Sequence, residues 1–371
     1  MASRHLMKDG LDNRAVKQLA KSLANTWPAF PTRQFEHDAI NGLKSLELKQ
    51  RVRHLVAVMH RHLPQDFRKA VPILVSLKDH WNDGRQDDVW RSFAAWPILD
   101  YIGTHGLDRP SLALDALQQL TSLFTAEFAI RPFIAHHRDL TLTTLEHWCQ
   151  HDDHHVRRLV SEGTRPRLPW GTQLADFVRN PRPVLPLLEQ LKDDPSDYVR
   201  RSVANNLNDI SKDHPDIMIR MGKKWLRNAG KERQWIVRHA ARSLIKAGHP
   251  HAFALLGYSV ETRANKCQLV LERKKIYMGE TLEFSVALKA PGTRPLDAVI
   301  DYRIDFVKAN GSSRPKVFKL RNVHLSKGET VNLKKLHSFK FITTRRYYPG
   351  RHGIAVTLNG REICSDWFEL L

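Results

Sequence analysis

The chain has 371 residues, with 59 lysines and arginines against 39 aspartates and glutamates, a formal charge of +20 and a pI near 10.0. A chain this long can fill two hydrophobic cores without metal or disulfide staples, and a surface this basic points to a polyanion, nucleic acid first. No apolar run approaches the roughly 18 residues of a spanning helix, and the cations are not gathered on one amphipathic segment, which excludes a membrane as the leading partner.

The first residues, Met1 to Lys8, lack the apolar stretch of a secretory signal. Three cysteines, Cys149, Cys267 and Cys364, are few and odd in number. That suits a reducing, cytoplasmic compartment and argues against a disulfide framework.

From about residue 10 to 257 apolar residues recur at helical spacing, as in Leu43, Leu46, Leu48, Val52, Leu55, Val56 and Val58. Glu127 follows as an acid placed where it can complement a helix N-terminus or face a groove. A short phrase then repeats: Ile130-Arg131-Pro132, Val156-Arg157-Arg158, Val199-Arg200-Arg201 and Val237-Arg238-His239, with starts 26, 43 and 38 residues apart. This spacing predicts a HEAT-like α-solenoid over residues 1–257 with arginines on its outer stripe.

Between the first two copies, His151, Asp152, Asp153, His154 and His155, with Cys149 and His136-His137 nearby, invite a metal reading. Their spacing is not that of a zinc site, and no metal or cofactor is expected. In the second copy Val156, Leu159 and Val160 form the buried stripe, while Arg158 and Glu162 share another face four residues apart. An exposed ion pair of this kind contributes only about 0.3–0.5 kcal/mol. The stretch that follows, with Arg165, Arg167 and two prolines, is a stiffened loop presenting Trp170, either as a recognition surface or as a plug between repeats. In the third copy Arg201, Asn205 and Asp209 fall at four-residue steps on one face.

Residues 223–246 carry Lys223, Lys224, Arg227, Lys231, Arg233, Arg238, Arg242 and Lys246 against the single acid Glu232. A solubilising face normally mixes both signs, so phosphate contact is the favoured reading. After Gly257 the pattern changes to short alternating runs, at 267–271, 281–288, 298–307, 316–320, 330–333, 339–343, 353–358 and 367–370. Turn signals such as Asn310-Gly311, Lys327-Gly328 and Asn359-Gly360 separate them. The expectation for 258–371 is a small all-β immunoglobulin-like sandwich, with no inter-sheet disulfide evident. No Walker-type loop and no nucleophile elbow is present, so nucleotide hydrolysis and esterase chemistry have no support.

Residues 127–134, 156–171 and 199–215 together resemble the AlkC/AlkD superfamily of DNA alkylation repair glycosylases, most nearly its AlkC branch. The two longer motifs are specific, and the likeness spans nearly the whole chain. The resemblance implies hydrolysis of the N-glycosidic bond of cationic alkylated bases, 3-methyladenine, 3-methylcytosine and 1-methyladenine, in double-stranded DNA and without base flipping. It implies Glu162 and Asp209, with Glu127, as the carboxylates that offset positive charge growing on the sugar, and Trp170 as a contact to the deoxyribose or backbone. Arg157, Arg158, Arg165, Arg167, Arg200, Arg201 and Arg238 would position the DNA backbone. A monomer without cofactor is expected. The alternative from another class is a non-catalytic HEAT-repeat nucleic-acid-binding scaffold, in which Glu162 and Asp209 merely pair with Arg158 and Arg201.

Overall fold

The computed structural model describes residues 6–81, 91–259, 264, 266–342 and 345–371, and the chain divides into two compact units, Met1–Asp213 and His214–Leu371. The join expected at 257/258 marks where helix gives way to strand. The compact units part earlier, at 213/214.

The first unit is helical. It begins with α1 (Asn13–Thr26), α2 (Thr32–Ile40), α3 (Leu48–His62), α4 (Phe67–His80), α5 (Trp96–His105) and α6 (Pro110–Leu120). Then come α7 (Arg131–His136), α8 (Arg138–Trp148), α9 (His154–Gly163), α10 (Ala175–Arg179), α11 (Leu185–Leu191) and α12 (Asp197–Ser211). Asp153, which belonged to the metal reading, is instead the N-cap of α9: its carboxylate accepts from the His155 N–H at 2.8 Å, and its own N–H donates to His151 Nδ1 at 3.0 Å. Helices α9 and α12 pack together. Val156, Leu159 and Val160 meet the apolar stripe Val199, Val203 and Leu207, all buried. Each such side chain contributes roughly 1.5–3 kcal/mol.

Both helices also bury polar residues: Ser161 and Glu162 on α9, and Ser202, Asn206 and Asp209 on α12. Gly163, at the end of α9, admits Ile130 so closely that a methyl group there would lie 2.7 Å from Ile130 Cγ2. The segment carrying Glu127 is thereby drawn onto α9. No helix among the described residues is long and apolar enough to cross a membrane.

The second unit opens with α13 (Pro215–Trp225), α14 (Lys231–Ala240), α15 (Arg242–Lys246) and α16 (Pro250–Leu255). Its strands are β1 (Lys266–Leu271), β2 (Lys275–Ile276), β3 (Thr281–Lys289), β4 (Leu296–Val307), β5 (Ser313–Leu325), β6 (Thr330–Ser338), β7 (Gly350–Leu358) and β8 (Arg361–Leu370). They form a three-stranded sheet, β1-β3-β6, and a five-stranded sheet, β2-β8-β7-β4-β5, antiparallel except where β2 runs alongside β8. Phe284, Tyr302, Ile304, Val356 and Phe368 fill the core. The β7–β8 turn is the expected two-residue Asn359-Gly360 loop, with φ positive at both residues and Leu358 opposite Arg361. Gly360 and Gly248, between α15 and α16, meet backbone to backbone: a Cβ on Gly360 would lie 2.6 Å from Gly248 Cα, and one on Gly248 3.0 Å from the Gly360 oxygen.

Two expectations are corrected. Residues 339–342 do not form a strand. Phe339 is fully buried, exchanging backbone hydrogen bonds with Glu280 and Gly279, and Ile342 makes an isolated bridge to Arg345; position 343 lies outside the described residues. Cys267 and Cys364 are paired as a disulfide with their Cα atoms 6.3 Å apart, although the cysteine count argued against one. The first strand, at the edge of its sheet, lies beside the last strand of the other, a proximity that chain order conceals.

Candidate functional site

Three acids from three segments of the helical unit converge. Glu127 comes from the turn before α7, Glu162 from α9 and Asp209 from α12, and they are 8%, 5% and 1% exposed. Two guanidinium groups join them. Arg158 lies 2.5 Å from Glu127 and 3.5 Å from Glu162, and donates to Thr125 Oγ1 at 2.6 Å. Arg165 bridges Glu162, at 2.7 Å, and Asp209, at 2.8 Å. Asp209 takes its other contact from Lys212 at 2.8 Å, not from Arg201. Arg201 is exposed and pairs with Asp197 at 2.7 Å.

Burial alone pushes a carboxyl group toward its neutral form. For Glu127 burial prevails over Arg158, with the Glu162 charge adding to it, and its pKa is raised. For Glu162 burial is outweighed by Arg158 and Arg165, helped by the Ser202 hydroxyl, and its pKa is lowered. One acid of the cluster is thus held ionised while its neighbour is pushed toward protonation. Ser202 donates to Glu162 Oε2 at 2.6 Å, Ser161 donates to Ser202 at 2.7 Å, and Asn206 donates to the Ser161 carbonyl at 2.8 Å. Hydrogen bonding of this density fixes the Glu162 rotamer.

Trp170 stands on the loop that leaves α9. It is 52% exposed with φ 64°, a left-handed backbone that a tryptophan adopts only when its surroundings impose it. Two groups impose it. Lys49 of α3 donates to the Trp170 carbonyl, and buried Arg131 donates to the carbonyls of Gly163, Arg165 and Thr172 at 2.8, 2.9 and 2.6 Å. Beside Trp170 lies a cavity of about 200 Å³, also lined by Phe128 and Asp100. Burial raises the Asp100 carboxyl to about 6.

The remaining arginines part company. The Arg157 guanidinium grips Asp194 in a two-point contact at 2.6 and 3.0 Å and donates to the carbonyls of His151 and Asp152. Arg200 does the same one copy later, to the carbonyls of Asp194 and Pro195. Both donate to residues five and six positions earlier, so in these two copies the first arginine staples the loop before its own helix. Arg167 pairs twice with Asp213 at 2.7 Å. Arg238 lies in the second unit, where it lines a cavity of about 200 Å³ with Lys246 and Asp301. Among the described residues no three potential metal ligands converge.

Sequence reasoning missed Arg131, Ser202, Asn206 and Tyr198, whose ring lies 4.9 Å beneath the Arg158 guanidinium. The signal for Arg131 was the repeat phrase itself. The polar residues at 202 and 206, on the face of α12 that also carries Asp209, were the signal for the others.

A helical-repeat unit with a buried acid–arginine network beneath an exposed tryptophan, followed by a β-sandwich, has known counterparts. A family model described as DNA alkylation repair enzyme matches residues 123–244, and one described as the C-terminal Ig-like domain of YhaZ matches 265–371. The protein YhaZ of Bacillus subtilis (strain 168), described as uncharacterised, is 36% identical over 355 residues, covering 95% of this chain and 96% of its own. The Pseudomonas fluorescens alkylpurine DNA glycosylase AlkC, solved bound to DNA containing an abasic site analogue, superimposes with a TM-score of 0.90 at 34% identity, over 99% of this chain and 100% of that one. The chain belongs to the AlkC-type branch of the DNA alkylation repair enzyme family.

Proposed function

We propose that the protein is a monomeric, cytoplasmic DNA glycosylase of base excision repair, hydrolysing the N-glycosidic bond of 3-methylcytosine, 1-methyladenine and 3-methyladenine in double-stranded DNA. The observation that carries this reading is the convergence of Glu127, Glu162 and Asp209 on Arg158 and Arg165. A base alkylated on a ring nitrogen is cationic and leaves as a neutral molecule, while positive charge grows on the deoxyribose. The reaction therefore needs fixed negative charge at the sugar. Glu162, held ionised by its arginines, and Asp209 supply it and orient the attacking water, with Glu127 closing the same pocket.

Trp170 lies against the sugar or backbone, adding face contacts to the developing cation. No base is extruded: the protein grips the strand from the sugar side. Among the repeat arginines, exposed Arg201 and Arg238 suit phosphate contact, whereas Arg157 and Arg200 act by shaping the loops beneath.

Release of free methylated base from an alkylated duplex tests the reading. Glu162→Gln and Asp209→Asn should each lower the single-turnover rate by about 10²–10³-fold, the usual cost of losing one electrostatic contact to a transition state, with duplex affinity nearly unchanged. A wild-type protein that binds the duplex and releases nothing is the scaffold instead.

A further inference from the structure

A second cavity lies in the sandwich, along β4 and β5. Strand β5 alternates faces, so Arg314, Lys316 and Phe318 share one side, and pairing sets them opposite Phe306, Ile304 and Tyr302 of β4, whose side chains are buried in the core. Two positions that would continue the apolar interior are therefore cations. Arg345, entering from the segment before β7, lies 4.4 Å over the Phe306 ring and 5.8 Å from Phe318. Arg346 lies 5.4 Å over Tyr348. With Lys308 these groups surround a cavity of about 560 Å³.

None of its lining residues is an acid. The nearest carboxylate in sequence, Asp305, alternates to the other face of β4, where Arg303 occupies it at 3.0 and 3.2 Å. Like charges gathered without a counter-charge repel, and burial together with Arg345, Lys246 and Arg314 depresses the Lys316 ammonium. An anion relieves that repulsion. The space is within the range of cavities that take a small ligand, roughly 300–1,000 Å³, and a concave site is more than a strand backbone passing over a ridge requires. Half-buried Tyr348 adds a ring on which a nucleobase can stack.

We propose that this cavity binds a single nucleotide, its phosphate held by Lys316, Arg314 and Arg346 and its base against Tyr348. The same chemistry is offered by a free mononucleotide and by the phosphorylated end of an unpaired strand. The site stands independently of the glycosylase reading.

The test is equilibrium binding to the full-length protein at low salt, with four probes: deoxyadenosine 5′-monophosphate, deoxyadenosine, inorganic phosphate and a 5′-phosphorylated single-stranded oligonucleotide. The nucleotide should bind at least about tenfold more tightly than the nucleoside, with inorganic phosphate competing. The double variant Lys316→Gln, Arg346→Gln changes exposed side chains only, and should weaken binding about tenfold while base release from a saturating methylated duplex is unchanged. Tyr348→Leu should weaken the nucleotide and leave inorganic phosphate unaffected. Binding of the oligonucleotide alone, weakened by the double variant, assigns the site to a strand end. Failure of both phosphorylated probes to bind, equal binding by the double variant, or a nucleoside bound as tightly as the nucleotide overturns the proposal. A wild-type protein that binds the nucleotide and releases no base from the methylated duplex would count against the glycosylase reading alone.

Discussion

Glu162 accepts from Arg165, three residues further on, at 2.7 Å and from Ser202 of α12 at 2.6 Å, so both of its oxygens are engaged. Its i,i+4 partner Arg158 turns chiefly to Glu127. Glu162 could be marked in the sequence because four-residue spacing sets it beside Arg158, whereas the same spacing set Asp209 with Arg201, which is exposed and pairs with Asp197. Arg131 could not, because a buried arginine under a loop and an exposed one on a stripe read alike in a repeat phrase. His337 offers a separate check on burial. Its ring is buried, its Nδ1 meets the Tyr302 hydroxyl at 2.9 Å, and burial, with Arg345, Lys335 and Lys316, lowers its pKa from 6.5 to about 4. The unfolded chain takes up the proton first as pH falls, so the stability His337 contributes is complete above 6.5 and is lost between 6.5 and about 4. The loss is on the order of 3 kcal/mol at most. In urea titrations over that window His337→Gln should show a flatter pH dependence than wild type, and an unchanged slope would contradict the buried neutral imidazole.

At the scale of helices and strands, the repeat phrase turns out to have two functions divided between its arginines. In the second and third copies the first arginine fastens the preceding loop by paired carbonyl contacts, and the second is free to differ, half-buried in the acid cluster as Arg158 or exposed as Arg201. Arg157→Met should therefore destabilise the fold by about 3–5 kcal/mol, because Asp194 is left buried without its partner. The salt dependence of duplex binding should stay as it is, whereas a phosphate contact would lower the slope by about one. Composition made most strands legible through alternation. It misled at 339–342, where aromatic and β-branched residues fit a strand but the Phe339 backbone is already taken by Glu280 and Gly279. Strand β5 runs well beyond the expected 316–320 because an edge position tolerates Pro315 and polar residues.

For the molecule as a whole, composition and periodicity revealed a helical part and a β part, and the break in pattern near 257 is real as secondary structure. It is not where packing divides, since α13 to α16 belong with the strands that follow. A fragment of residues 214–371 should unfold in one cooperative transition in urea, whereas residues 258–371 should be less stable and less soluble. The shorter piece loses Phe253, which lies against the β7–β8 turn. Equal stability of the two pieces would show that the helices only lean on the sandwich. The seam between Gly248 and Gly360 makes this more than a matter of trimming. With main chains touching there, the hairpin and the last helical turns act as a single rivet, and one methyl group on either side would prise it open.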